Sequence, residues 1–163
     1  MLPGLRTSFY YSVNSAELTV QTQASLESAF PSPRDAWPPV IRAYDAALEG
    51  LKGKHAKGLF EKMRHVVTAI SMIRELPASD PYDLEIRFLR FSLFSQLPVF
   101  FGVRSSVAPD LAKLIDSLEA ARYEQVPRDV QGAMVTYLLG SGIPDQPQIR
   151  RLEALRARLT QTP

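Results

Sequence analysis

Arg87 and Arg90 stand three residues apart in DPYDLEIRFLRFSLFSQLPVFFG, residues 80–102, the most apolar stretch of the chain. On a helix the two guanidiniums share one strip. Such a pair suits a carboxylate or a phosphate, which it takes through forked N–H donors. Asp83 lies four residues before Arg87 and can pair with it locally. Arg90 has Ile86 and Phe94 at that spacing, so its partner must come from elsewhere. The candidates are an acid such as Glu75, Asp110 or Asp116, a set of helix-end carbonyls, or a ligand. A brace between helices and an anion pocket are both open readings.

A second cationic group is LKGKHAKG, where Lys52, Lys54, His55 and Lys57 gather around glycines. It lacks the Gly-Lys-Ser/Thr ending of a phosphate loop and follows a helix rather than a strand. Its plain reading is a helix C-terminus with cations on the negative dipole end; its functional reading is an anionic ligand. Glu61 and His65 have the four-residue spacing of two metal ligands, but Lys62 and Arg64 flank them and His55 is the only other histidine. That pair reads as a solvated surface pair, and no metal is expected. No Gly-x-Ser-x-Gly is present, so no serine nucleophile is supported and no catalytic residue is assigned. No cofactor is expected.

These groups need elements to position them. The first fourteen or so residues show no clear period. A weak helix is expected from about Ser15 to Phe30, with Leu18, Leu26 and Phe30 inward. PSPRDAWPP, with four prolines in nine residues, interrupts it, and Trp37 should pin this connector. A helix follows from about Pro38 to Leu51, with Gly50, Gly53 and Gly58 as stop signals. The clearest helix carries Leu59, Phe60, Met63, Val66, Val67, Ile70 and Ile73.

The helix holding the two arginines starts behind Asp80 and Pro81 and stops at Pro98. Its expected stripes are Ile86, Leu89, Leu93 and Leu97, and beside them Leu84, Phe88 and Phe91, with Phe94 on the arginine strip. Phe88 and Leu89 should pack on Val66, Ile70 or Ile73 of the preceding helix. Between helices, Phe100 and Phe101 either fold back on the core or form an exposed interaction patch. Three more helices begin near Ser106, near Pro127 and in QIRRLEALRARL.

The expected fold is an all-α, single-domain helical bundle of about six or seven helices, because no segment alternates with period two. The expected organisation is an N-terminal extension over 1–36 and a helical domain over 37–163. The chain has 163 residues, ordinary globular composition and no cysteine, so disulfides and thiolate chemistry are excluded. A net charge of +2 gives no ground for a nucleic-acid partner. No apolar run reaches the ~20 residues that span a bilayer. Without an apolar leader the expected compartment is the cytoplasm, an exported precursor being the alternative.

SDPYDLEIRFLRFSLFSQLPVFFG resembles a segment of a family of small, uncharacterised bacterial all-helical proteins. The specific part is Glu85 to Arg90 together with Gly102, and the likeness covers about Tyr44 to Leu118, LKGKH included. The junction also resembles the link between tetratricopeptide helices, with Ala69, Ile73 and Pro81 at that repeat's small, large and proline positions. Phe91 departs from the pattern, and no second copy follows. The resemblance implies one tetratricopeptide-like antiparallel helix pair and no known activity. The functional expectation is a non-enzymatic module binding a protein or peptide. The alternative is an anion binder or enzyme with an interhelical pocket holding Arg87, Arg90 and residues 52–57.

Overall fold

The computed structural model describes residues 1–74, 76 and 83–161; of Asp83 only the backbone is described. Among them are eight α-helices, three short 3-10 turns and no strand, as the all-α expectation requires. The chain forms two compact units, Met1–Asp80 and Pro81–Pro163. The expected pairing of helices 59–76 and 82–97 runs through the turn at 77–82, which lies outside the described residues.

The first unit contains α1 (Leu2–Ser12), α2 (Ala16–Ala29), α3 (Pro39–His55) and α4 (Leu59–Arg74). The first helix occupies the stretch without a legible period. Ser15 ends the link to α2 as its N-cap, its hydroxyl accepting from the Leu18 N–H at 3.2 Å. The buried face of α2 is Thr19, Thr22, Gln23 and Leu26; Leu18 is exposed, contrary to expectation. Two polar groups of that face are answered by the end of α1: Thr19 Oγ1 donates to Ser12 O at 3.0 Å, and the Thr22 and Ser12 hydroxyls meet at 3.1 Å. In the proline-rich connector Trp37 is buried, stacks on Phe30 and donates Nε1–H to Ser32 O at 2.8 Å.

The third helix does not stop at Leu51. It runs on through Gly53 to His55, and both Gly50 and Gly53 are buried within it. The physical reason is α4. A Cβ on Gly53 would lie 3.1 Å from Val66 Cγ2, 3.3 Å from His65 Cβ and 3.3 Å from Lys62 O. Glycine here permits close helix approach rather than a turn. Ala43, Ala46 and Ala47 continue a small-residue face, while Val40, Ile41, Tyr44 and Leu48 supply bulk, with Val66, Ala69, Ile70 and Ile73 buried on α4.

The second unit contains α5 (Asp83–Ser95), α6 (Val107–Glu119), α7 (Arg128–Gly140) and α8 (Gln146–Thr160). On α5 the buried residues are Leu84, Glu85, Ile86, Leu89, Phe91 and Phe94. Phe94 is therefore inward, while Phe88 is only half-buried and meets Tyr137 edge-on at 5.4 Å. Leu111, Leu114, Ile115 and Leu118 make the buried stripe of α6, as their spacing predicts. Asp145 and Gln148 close a capping box at the start of α8. Its far end is capped by Arg128, which donates to Leu159 O at 3.2 Å and Gln161 O at 2.7 Å.

Candidate functional site

The arginine strip of α5 faces Asp110, in the first turn of α6. Arg90 Nε donates to Asp110 Oδ2 at 2.8 Å and Nη2 to Oδ1 at 2.6 Å. Arg87 Nη1 reaches the same Oδ1 at 3.1 Å. Asp110 is 2% exposed, so one dry carboxylate holds two guanidiniums. Asp110 is among the three acids the spacing argument proposes for Arg90. The Asp83–Arg87 pair expected from sequence involves a side chain outside those described. Asp110 satisfies four requirements at once: it neutralises charge, accepts three hydrogen bonds, joins α5 to α6, and places an acid in α6's first turn.

Arginine joins the other helices of this unit too. Arg151 of α8 grips Glu119 through Nε–Oε1 at 2.8 Å and Nη2–Oε2 at 2.7 Å, and also meets Asp116 Oδ1 at 2.8 Å. The hydrogen bond from Arg151 holds the Glu119 carboxyl below its ordinary range. Arg158 donates to Leu118 O and Glu119 O, carbonyls at the end of α6.

Residues 52–55 are the last turn of α3 rather than a loop. Lys52 pairs with Glu49 at 3.6 Å. Lys54 donates to Val13 O at 2.6 Å and His55 Nε2 to Ser12 O at 3.2 Å. Two members of the cationic group thus tie off the carbonyl end of α1. Lys57 lies beyond the helix and is exposed.

Of the expected solvated pair, Glu61 is exposed but His65 is not. His65 is buried and turns to α3, where its Nδ1 donates to Glu49 Oε1 at 2.7 Å; Glu61 stands 3.9 Å from Nε2. Arg64 Nη2, a donor, faces that nitrogen at 3.4 Å. Burial pushes the Glu49 carboxyl up, but the His65 hydrogen bond with the Lys52 and His65 charges outweighs it and leaves Glu49 below its ordinary range.

One turn away, buried Asp45 accepts from Gln23 Nε2 at 2.7 Å and Arg34 Nε at 2.7 Å, and Arg34 also pairs with Glu27. Sequence reasoning missed this seam. Its signal is two acids, Asp45 and Glu49, one turn apart on a helix otherwise lined with Ala, Tyr and Leu. Among the described residues no cluster of three or more His, Asp and Glu is arranged to hold a metal ion.

The remaining candidate is LPVFFG. Val99–Phe101 forms a 3-10 turn, closed by the Gly102 N–H on Val99 O at 3.0 Å. Gly102 has φ of 68°, which favours glycine at this position. Val99 and Phe100 are 72% and 71% exposed, and Phe101 is half-buried with its ring 4.5 Å from that of Phe100. No helix among the described residues is long and apolar enough to cross a membrane. The chain matches no family model, no curated protein and no solved structure with which it was compared.

Proposed function

We propose that the protein is a non-enzymatic helical interaction module that docks a protein partner on the Val99–Phe100 turn. The observation behind this reading is two adjacent large apolar side chains, 72% and 71% exposed, on a tightly closed turn. A rigid aromatic presented this way has little side-chain entropy left to lose on binding and suits an apolar cleft. Along the chain it is flanked by exposed, uncharged Gln96 and Ser105, and the one charged residue among 96–105 is Arg104, which reaches back to Ser95 O at 3.4 Å.

The alternative, an anion binder or enzyme using Arg87, Arg90 and residues 52–57, has less behind it. The two guanidiniums share Asp110, and three of the four residues Lys52, Lys54, His55 and Lys57 bond to the protein's own groups.

A photoreactive residue replacing Phe100 should crosslink, in the source cell, a protein that one replacing the exposed Ala154 does not. With that protein purified, Phe100→Ser should weaken binding about tenfold or more, as for an interface anchor, at an unchanged unfolding midpoint. Equal crosslinking from both positions, or undiminished binding by Phe100→Ser, overturns the reading.

A further inference from the structure

The side chains of the first turn of α4 are all exposed. Leu59 is 77% exposed and Phe60 85%, and Glu61 and Lys62 complete the turn in the open. Neighbours on a helix point about 100° apart, so Leu59 and Phe60 make a protruding corner rather than one flat patch. Phe60 is continued one face-repeat later by Val67, also more than half exposed.

Charge separates this corner from the Val99–Phe100 turn. Exposed Lys57 precedes it by two residues, Lys62 lies within it and exposed Arg64 follows in the next turn; Glu61 is the one acid among residues 57–64. Three cations and one acid around two large apolar side chains is the chemistry of an anionic lipid surface. There, apolar groups enter the acyl boundary while Lys and Arg stems carry their charges to the headgroups. A fluid surface also accepts two side chains diverging by about 100°, where a preformed flat protein face would accept one.

We propose that the α4 corner docks this protein peripherally on an anionic membrane, with Leu59 and Phe60 inserted and Lys57, Lys62 and Arg64 at the headgroups. The proposal is independent of the Val99–Phe100 reading, since it concerns other residues and another class of partner.

The test is co-sedimentation of the full chain with phosphatidylcholine vesicles, with and without phosphatidylserine. Wild type should pellet with the serine-containing vesicles and much less with the neutral ones, and added salt should release it. Leu59→Ser with Phe60→Ser should lower partitioning about tenfold or more. That variant should keep its unfolding midpoint, because both side chains are already in water. Lys57→Glu with Lys62→Glu should abolish the preference for anionic vesicles. The proposal is overturned if wild type ignores anionic vesicles, or if binding survives the Leu59/Phe60 double variant and so rests on charge alone. It is also overturned if that variant's main effect is to dissolve a dimer of this chain.

Discussion

Arg90 and Asp110 form a two-point ion pair across α5 and α6, with both contacts at or below 2.8 Å and the carboxylate almost wholly out of water. The two ends of this pair are not equivalent. Asp110 also serves Arg87, so removing it takes the shared acceptor from two guanidiniums. Asp110→Ala should cost about 3–5 kcal/mol, the range for breaking a buried pair. Arg90→Met leaves Arg87 on Asp110 and fills much of the same volume, so it should cost distinctly less. Urea unfolding of both variants checks the order; a costlier Arg90→Met would mean Asp110 is not the hub.

Glycines 53 and 132 should respond in opposite directions. At Gly53 an added methyl meets Val66, His65 and the Lys62 backbone oxygen, all within 3.3 Å. The oxygen cannot rotate aside, so Gly53→Ala should destabilise by about 1–3 kcal/mol as overpacking, despite alanine's better helix propensity. Gly132, inside α7, has nothing within 4 Å of an added Cβ. Gly132→Ala should stabilise by about 0.5–1 kcal/mol. Thermal midpoints of the two variants give the signs directly.

The Glu49–His65 contact gives a pH dependence. Glu49 has a lower pKa folded than unfolded, so the unfolded chain takes up its proton first on acidification. The stability this contributes is fully present above the ordinary carboxylate range and is lost as pH falls through the folded value. Replacing His65 with Gln removes the leading hydrogen bond and should flatten that part of the curve. Urea midpoints measured from neutral pH downward should converge for the two proteins at the acid end; parallel curves would refute the linkage.

On α5, Phe88 and Phe91 should separate clearly. Phe91 is fully buried, and Phe91→Ala should cost about 3–5 kcal/mol. Phe88 is half-buried against Tyr137, so its truncation should cost well under that, and less still in a Tyr137→Leu background. Equal losses would show that Phe88 carries core packing after all.

The all-α architecture is legible because apolar residues at three- and four-residue spacing recur in α4, α5 and α6. The first helix escapes that test, since its support is distant: Phe9 meets the Tyr44 ring at 5.3 Å, and Lys54 holds Val13 O. The end of α3 is misread for another reason. A glycine that stops a helix and one that admits a neighbouring helix look alike in a single sequence, and only α4 tells them apart. The need of Arg90 for a distant acid follows from its empty local positions, so Asp110 could be proposed in advance. For Asp45 and Glu49 the signal was weaker, two acids one turn apart on a helix lined with Ala, Tyr and Leu, because a buried acid is spelled like a solvated one.

The Lys54–Val13 and His55–Ser12 bonds, spanning 41 and 43 positions, also bear on the order of assembly during synthesis. Chains emerge from the ribosome N-terminus first. Ser12 O already has Thr19 of α2, but Val13 O waits for its Lys54 donor until α3 has been made and has coiled to its last turn. A ribosome stalled before His55 would display α1 and α2 without this clasp. Their protection from a protease should rise only once Lys54 and His55 have cleared the exit tunnel.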